Sequence, residues 1–491
     1  MNRLARMMAL TLALLCLFTI GAGAAVAHLM PHRLALFQLP AVAGRSPARP
    51  ETVLRAATGS PSGGAGGADS GVATAAGVTA RVDGLVKSGG LGPHVGALVS
   101  DLSTGQVLYK QDAASSFAPA STTKIATAVA ALETLGPDAT FSTRVLVGSK
   151  PGAGGEQIVL LGGGDPTLAV HPYPAGDYPQ PATLGVLAAG TARALRANGV
   201  SSVTLRYDAS LFGGPAVARG WKPLGAPGNY VSSGNVTPIT GLEVDQGRLT
   251  AHGTPQDSDD AGNFRPRSLT PSRDAARAFA ALLRKDGITV RGKPSAGRAP
   301  HAARVIALVR SPSLAAIVQQ MLTESNNVIA ETLARHVAIA TGRPGTFAGA
   351  AAGVMAVVAR LKVHGLRLHD GSGLSPMDRI SPRALVSLIG LAARSGAGLR
   401  PVLTGLPVAG FSGTLGPGSF FGPFGRAALG MVRAKTGNLT HVATMAGVAA
   451  TANGQLLAFA FMGNDIPVRL GGKPESTLAQ LATALAGCGC G

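Results

Sequence analysis

Three short stretches, Ser121-Thr122-Thr123-Lys124, Ser325-Asn326-Asn327 and Lys435-Thr436-Gly437, decide the fold class of this chain by their residues and their order. A serine and a lysine three positions apart lie on the same side of a helix, so the amine can reach the hydroxyl. The second stretch adds polar side chains and the third adds another cation. Together they predict an enzyme whose active-site serine is acylated by its substrate.

Order and context separate these stretches from chance matches. Ser121 to Lys124 is the only S-x-x-K pattern in the 491 residues. Lys87-Ser88-Gly89 fits the third pattern but precedes the first. Ser233-Gly234-Asn235 fits the second pattern but follows a proline- and glycine-rich run, where a rigid helix end is not expected. The positions beginning at 121, 325 and 435 therefore form the candidate site.

Each candidate residue has a predicted task. Ser121 is the nucleophile, Lys124 is the base that takes its proton, and Ser325 relays a proton to the leaving amine. A basic lysine needs a lowered pKa, which burial and a second nearby cation both favour. The residues predicted to bind the peptide group, the carboxylate and the carbonyl oxygen of the substrate are Asn327, Lys435, Thr436, Gly437 and Asn438.

The chain is strongly basic, with 43 Lys and Arg against 24 Asp and Glu and a net charge of +19. An aromatic content of 4% and the lack of a zinc-ligand spacing or a basic helix argue against a nucleic-acid partner. Attraction to an anionic surface or polymer and a merely solvated, arginine-rich exterior are equally open. The histidines show no metal-ligand spacing, so we predict neither a metal nor a cofactor.

The N-terminus predicts export. Arg3 and Arg6 precede an apolar run over residues 7–27, which fits a secretory signal but is also long enough to anchor the chain in a membrane. Residues 1–28 are therefore a signal peptide or an anchor, with cleavage left open. Residues 29–80 are rich in Ala, Gly, Ser and Pro and predict a flexible linker. The body would then lie outside the cytoplasmic membrane, in the periplasm or the cell-wall space.

The remaining pattern predicts an α+β fold, with an antiparallel sheet flanked by helices. An apolar hairpin at 95–109 leads to the helix of Ser121, and three apolar runs between 431 and 462 precede a closing helix. The long spacer between the first two motifs contains strand-like runs at 143–147, 157–161 and 203–207, which indicates an inserted, smaller mixed α/β region. The predicted divisions are a first catalytic part at 81–145, the insertion at 146–300 and a second catalytic part at 301–487.

The three motifs resemble those of the penicillin-recognising serine DD-peptidases and β-lactamases. The stretches LGGGDPTL at 161–168, DASLF at 208–212 and DGSGLS at 370–375 are similar to signatures of the D-alanyl-D-alanine carboxypeptidase/endopeptidase family, the low-molecular-mass class C penicillin-binding proteins. This resemblance implies a DD-peptidase-like catalytic domain acting on peptidoglycan stem peptides, with or without endopeptidase activity on cross-links. It also implies covalent inhibition by β-lactams.

Two other functions stay open at this point. A β-lactamase or esterase on the same scaffold is disfavoured by the large insertion and by the lack of a deacylating E-x-x-x-N run between the second and third motifs. A non-catalytic peptidoglycan-binding protein is disfavoured because every motif residue is intact. For 370–375 a tight turn is preferred over a role in shaping the cleft.

Overall fold

The computed structural model describes residues 72–148, 156–249, 265–418 and 424–490. The predicted signal or anchor at 1–28, and the predicted linker up to residue 71, lie outside the described residues. Among the helices in the described ranges, none combines the length and the apolar character needed to cross a bilayer.

Helices and strands alternate along the described chain. The helices are α1 Ala75–Val86, α2 Thr123–Leu135, α3 Leu184–Ala197, α4 Pro271–Lys285, α5 Leu314–Thr323, α6 Asn327–Ala340, α7 Phe347–Arg360, α8 Pro382–Arg394, α9 Arg400–Thr404 and α10 Lys473–Ala486. The strands are β1 His94–Asp101, β2 Val107–Gln111, β3 Ser142–Val147, β4 Gln157–Leu161, β5 Ser202–Asp208, β6 Thr289–Ala296, β7 Arg304–Arg310, β8 Leu366–Arg367, β9 Arg379–Ile380, β10 Val432–Leu439, β11 Val442–Ala450 and β12 Leu456–Asn464.

The first sheet has the order β10-β11-β12-β1-β2 and is antiparallel throughout. The predicted hairpin and the predicted meander are both in this sheet, which confirms the α+β class. Strand β10, which carries the third motif, lies at the edge.

Both faces of this sheet are buried, as the alternation along β12 shows. Phe459 and Phe461 point into the core that contains the apolar residues of α1 and α10. Ala458 and Ala460 point into the core formed with α2 and α5 to α8. The sheet is therefore the middle of three layers, with the motif-bearing helix α2 in one outer layer.

Helix α1 begins at Ala75, inside the stretch predicted as linker, so the predicted linker extends too far. Thr74 caps the helix by accepting a hydrogen bond from the N–H of Gly77. Val78 and Val82 are fully buried against the sheet. The backbone N–H of Thr74 also donates to the carbonyl of Cys490, so the first described helix is tied to the C-terminal residues.

The spacer between the first two motifs contains a second sheet, with the order β6-β5-β4-β3-β7. Helices α3 and α4 pack on one face and enclose a core of their own with residues such as Phe279 and Leu160. The strands predicted at 143–147, 157–161 and 203–207 all form. The division of the chain at 145 and 300 stays a prediction.

Candidate active site

Ser121 lies in a single tight turn, Ala120–Thr122, immediately before α2. Ala120 has φ 47°, a left-handed backbone conformation that residues with a side chain rarely adopt. Two glycines pack against this turn. A Cβ at Gly373 would overlap the carbonyl oxygen of Ala120, and a Cβ at Gly437 would lie 2.7 Å from the carbonyl oxygen of Pro119. The backbone that presents Ser121 is therefore held by close neighbours from two distant parts of the chain.

Lys124 follows one turn later and is fully buried. Its Nζ lies 2.9 Å from Ser121 Oγ, 2.7 Å from Asn327 Oδ1 and 2.8 Å from the carbonyl oxygen of Ser372. The predicted proximity of the serine and the lysine is thus present, and the second motif reaches the same nitrogen.

These three contacts suit a neutral amine as well as an ammonium. A neutral amine has two N–H groups, which can donate to Asn327 and to the carbonyl of Ser372, and one lone pair, which then remains for the Ser121 hydroxyl. Burial lowers the pKa of Lys124 to about 7, although the negative charges of Asp370 and Glu331 act to raise it. The arrangement allows Lys124 to accept a proton from Ser121 near neutral pH.

The second motif connects α5 to α6. Ser325 is half-buried and has φ 56°, again in the left-handed region. Asn326 caps α6 by accepting a hydrogen bond from the N–H of Ile329, which directs Asn327 toward Lys124. The amide nitrogen of Asn327 donates to the carbonyl of Asn235 at 3.0 Å. Asn235 belongs to the stretch Ser233-Gly234-Asn235, which the sequence analysis treats as a chance match to the second motif. In the folded chain, its backbone carbonyl nevertheless lies at the candidate site.

The third motif lies on the edge strand β10. Lys435 is fully buried and shares a strand face with Gly437, which packs against the turn of Ser121. Thr436 is on the opposite face, and its hydroxyl donates to Thr414 Oγ1 at 2.9 Å. The side chain of the next residue, Asn438, is exposed and donates to Glu475 Oε1 at 2.8 Å.

The loop 370–375 lies against α2 and is more than a connecting turn. The Ser372 carbonyl is one of the three Lys124 acceptors, and the Gly371 carbonyl accepts a hydrogen bond from Thr127 Oγ1 at 2.6 Å. Gly373 has φ 87° and touches the Ala120 backbone. The preference for a simple tight turn was therefore incomplete, because the same loop also forms part of the site.

Buried acidic side chains hold this loop. Glu331 on α6 accepts hydrogen bonds from the N–H of Gly371 at 3.0 Å and of Ser372 at 2.8 Å. Asp370 accepts from the N–H of Gly373 at 2.7 Å and from the indole of Trp221 at 2.8 Å. Burial, followed by the charge of Asp370, raises the pKa of Glu331 to about 8.

The structure therefore joins Ser121, Lys124 and Asn327 by direct contacts and places Gly437 against the same turn. Ser325 is connected to these residues by the backbone, because it lies two residues before Asn327. Sequence reasoning missed the contribution of Ser372, Glu331 and Trp221. The DGSGLS pattern was a signal for the first of these, whereas nothing in the sequence marked the other two. In the described ranges, no cluster of three or more His, Cys, Asp or Glu side chains could hold a metal ion.

Comparisons with known proteins agree with this geometry. The profile of the D-Ala-D-Ala carboxypeptidase 3 (S13) family matches residues 78–266 and 243–485. A carboxypeptidase of Mycobacterium tuberculosis is 37% identical over 425 residues, which is 85% of each chain. The carboxypeptidase DacB of Mycolicibacterium smegmatis is 36% identical over 398 residues, 80% of each chain.

Among solved structures, penicillin binding protein 4 of Haemophilus influenzae has a similar fold, with a TM-score of 0.64 at 21% identity. The match covers 84% of this chain and 98% of that one. This chain belongs to the D-Ala-D-Ala carboxypeptidase 3 (S13) family. The predictions of the family, the fold class and a DD-peptidase enzyme are confirmed.

Proposed function

We propose that this protein removes the terminal D-alanine from peptidoglycan stem peptides through an acyl-enzyme on Ser121. The observation that carries the assignment of Ser121 is the position of Lys124 Nζ, which contacts Ser121 Oγ, Asn327 Oδ1 and the Ser372 carbonyl at 2.7 to 2.9 Å. A buried amine with two fixed acceptors has its lone pair left for the serine hydroxyl. That is the geometry a general base requires.

In the acylation step, Ser121 Oγ attacks the carbonyl carbon of the penultimate D-alanine and its proton passes to Lys124. The bond from that carbon to the terminal nitrogen breaks, and the proton held by Lys124 passes through the Ser325 hydroxyl to the leaving amine. An ester between Ser121 and the shortened peptide remains. Water then hydrolyses the ester, restoring the hydroxyl and releasing a carboxylate.

The other motif residues hold the substrate in this scheme. The backbone N–H groups of Ser121 and Asn438 stabilise the oxyanion that forms during attack. Lys435 and Thr436 receive the carboxylate of the terminal D-alanine, and Asn327 binds the peptide group. The small volume of Gly437 has a further purpose, since it lets β10 approach the turn that presents Ser121.

β-Lactams would acylate Ser121 in the same way, because they present a reactive amide and a carboxylate in similar positions. A β-lactam complex is known for penicillin binding protein 4 of Haemophilus influenzae. The same chemistry on a D-alanyl bond whose amine belongs to a second stem peptide would give endopeptidase activity. Both substrates lie outside the cytoplasmic membrane, where the basic and apolar N-terminal pattern of residues 3–27 would direct the chain.

A fluorescent penicillin tests this function. The full chain should form a covalent adduct at Ser121, identified by peptide mapping, that persists for at least minutes. Ser121→Ala should form none. Release of the label within seconds would point to a β-lactamase, and label on another serine would overturn the assignment of the nucleophile.

A second assay separates the two peptidase activities. Incubation with a soluble D-Ala-D-Ala pentapeptide should release free D-alanine, whereas incubation with a cross-linked dimer reports endopeptidase activity by mass spectrometry. A chain that binds peptidoglycan but neither reacts with penicillin nor releases D-alanine would be the non-catalytic alternative.

A further inference from the structure

Both asparagines of the second motif are held from the side of the spacer that separates the first two motifs. The amide nitrogen of Asn327 donates to the carbonyl of Asn235 at 3.0 Å. The amide nitrogen of Asn326 donates to the side-chain oxygen of Gln246 at 2.8 Å. Two segments of the spacer, one around residue 235 and one around residue 246, therefore reach the start of α6.

A buried arginine connects these two segments. Arg267 Nε donates to the carbonyl of Gly234 at 3.0 Å, and Arg267 Nη1 donates to the carbonyl of Gln246 at 2.9 Å. Arg267 is 7% exposed, and its planar guanidinium fixes the directions of both bonds. Because Asn235 directly follows Gly234, the guanidinium binds the backbone within one residue of each contact with the second motif.

The segment around Gln246 has a backbone that needs support. Asp245 and Gln246 have φ 50° and 56°, so two successive residues with side chains lie in the left-handed region. Such a conformation persists only where the surroundings hold it. Arg267 supplies one of these contacts, and the N–H of the next residue, Ser268, donates to the carbonyl of Gly247 at 2.7 Å.

Arg267 keeps its positive charge in this environment. Burial lowers the pKa of Arg267 to about 9, and the nearby Arg248 acts in the same direction, whereas the carboxyl of Glu243 acts against both. A pKa of about 9 leaves the guanidinium charged at neutral pH. Charged donors form stronger hydrogen bonds than neutral donors, so Arg267 is suited to fixing the two carbonyls.

The Asn235 carbonyl determines which way the Asn327 amide faces. An amide has an oxygen on one side and an NH2 group on the other. With its nitrogen bonded to the Asn235 carbonyl, Asn327 turns its oxygen toward Lys124 Nζ, 2.7 Å away. The opposite orientation would direct an N–H group at the lone pair of Lys124, which is needed for the Ser121 hydroxyl.

We propose that Arg267 is a positioning residue for the acylation of Ser121, because it fixes the two spacer segments that orient Asn326 and Asn327. Arg267 acts through the second motif rather than on the substrate. This role rests on the proposed function only through the assignment of Lys124 as the base. It gives the spacer a task in the chemistry, since the partner of the base is oriented from outside the first sheet.

Arg267→Lys in the full chain tests this role. The substitution keeps the charge, but one nitrogen cannot take the places of both Nε and Nη1, so one carbonyl loses its donor. The rate of acylation by a fluorescent penicillin should fall about tenfold, because the groups around Ser121 are displaced. Thermal unfolding checks that the variant is folded.

Arg284→Lys is the control for the substitution itself. Arg284 lies on α4 in the same spacer and also donates to a backbone carbonyl, that of Val290 on β6 at 3.1 Å. This variant should change the acylation rate less than twofold. Equal losses of rate in Arg267→Lys and Arg284→Lys would overturn the proposal.

Gln246→Met tests the same connection one contact further along. It removes the acceptor of Asn326 but leaves the backbone carbonyl that Arg267 binds. The acylation rate should fall about threefold, less than in Arg267→Lys, since Asn327 keeps its own contact. If Arg267→Lys does not fold, an unchanged rate in Gln246→Met overturns the proposal.

The pH profile separates positioning from a general loss of structure. The acidic limb of the acylation profile follows the pKa of Lys124, on which the charges of Asp370 and Glu331 also act. Both acids are unchanged in Arg267→Lys. Losing the Asn327 oxygen removes an acceptor of the ammonium form, so the pKa of Lys124 should fall and the limb should move about half a unit to lower pH. Partial unfolding would lower the rate without moving the limb, and entry of water would move the limb to higher pH.

Hydrogen exchange measured by mass spectrometry tests the positioning without catalysis. Asn326 caps α6 at the N–H of Ile329, so the backbone around Ile329 should exchange faster in Arg267→Lys than in the parent or in Arg284→Lys. Unchanged exchange in Arg267→Lys, or a loss of rate without the shift of the limb, would overturn the proposal. A parent protein that shows this exchange pattern but forms no adduct with penicillin at Ser121 would contradict the proposed function instead.

Discussion

The two five-stranded sheets differ in how many of their faces are buried. In the first sheet, Leu457, Phe459 and Ala460 of β12 are all fully buried although they point to opposite sides. In the second sheet, Leu205 of β5 is buried whereas its neighbour Arg206 is half-exposed. The first sheet is an internal scaffold, whereas the second sheet is exposed to solvent on part of one face.

This difference matches what each sheet has to do. A one-residue slip in a sheet with two buried faces would exchange every side chain between two different cores, so its register is strongly fixed. That sheet carries β10 and holds it against the turn of Ser121. The second sheet can expose charged side chains on one face because a single helical layer already provides its core. Changes to the first sheet and its helices should therefore affect chemistry, and changes to the open face should not.

The largest effect is expected from Lys124→Arg, at the centre of the buried scaffold. The guanidinium keeps a positive charge but cannot lose a proton near neutral pH. The rate of acylation by a fluorescent penicillin should fall about 10³-fold, since the proposed base is lost. Incorporation of label over time measures this rate, and thermal unfolding checks the fold.

Lys435→Arg is the matched control, because Lys435 is also fully buried and its proposed role requires only a positive charge. This variant should retain measurable acylation at a higher concentration of the probe. Equal losses in the two variants would contradict the separate roles of the two lysines.

The next effect is that of pH on the unmodified enzyme. Because burial lowers the pKa of Lys124 to about 7, the amine is neutral above that pH and protonated below it. The acylation rate should therefore rise with pH and level off above about 7, and it should fall about tenfold for each pH unit below. Rates measured from pH 5 to 9 at constant ionic strength, on protein shown to be folded at each pH, check this. A flat profile would remove Lys124 as the base.

A smaller loss is expected from Gly373→Ala, where the loop 370–375 touches the turn of Ser121. The added Cβ would overlap the carbonyl of Ala120, so the turn or the loop must move. The acylation rate should fall about tenfold, because Ser121 and the groups around it would be displaced from their productive positions. The emission of Trp221, the single tryptophan, should also change because its indole donates to Asp370 in this loop.

Gly105→Ala separates this contact from backbone strain. Gly105 has φ 78°, close to the 87° of Gly373, but a Cβ there would meet nothing within 4 Å. Both variants bear the cost of a left-handed alanine, and only Gly373→Ala should lose acylation rate. If the acylation rate falls by the same factor in both variants, the contact between Gly373 and Ala120 does not position Ser121.

The smallest effect concerns the open face of the second sheet. Replacing Arg144, Arg206, Arg291 and Arg310 of this sheet together by Gln should leave kcat/KM for a small soluble pentapeptide within about twofold of the parent, as is usual for surface changes. Release of D-alanine is the measurement. A loss above tenfold would mean that the two sheets are not separable, and that the second contributes to the site itself.

Much of the first sheet and its site was predictable from sequence. Local periodicity and residue type can be read directly from the sequence. They are enough to predict the serine and lysine spacing on a helix, the alternating apolar runs and the three motifs. The same holds for β3, β4 and β5, whose apolar runs predicted strands. The arginines of the second sheet were visible only as a net charge, because their common face follows from the pairing of strands.

Tertiary structure alone decided the groups that complete the site. Ser372 and Asn235 contribute backbone carbonyls, which every residue has, so no side-chain pattern could reveal them. Glu331 acts on a loop forty residues later in the chain, and Trp221 reaches Asp370 from the spacer between the first two motifs. The sequence by itself predicted Ser121 as the nucleophile and Lys124 as the base, and it determined their helical spacing, since these depend on residue type and local periodicity. The arrangement of charges and carbonyls around Lys124 was settled only by folding, because it is made of contacts between residues far apart in the chain.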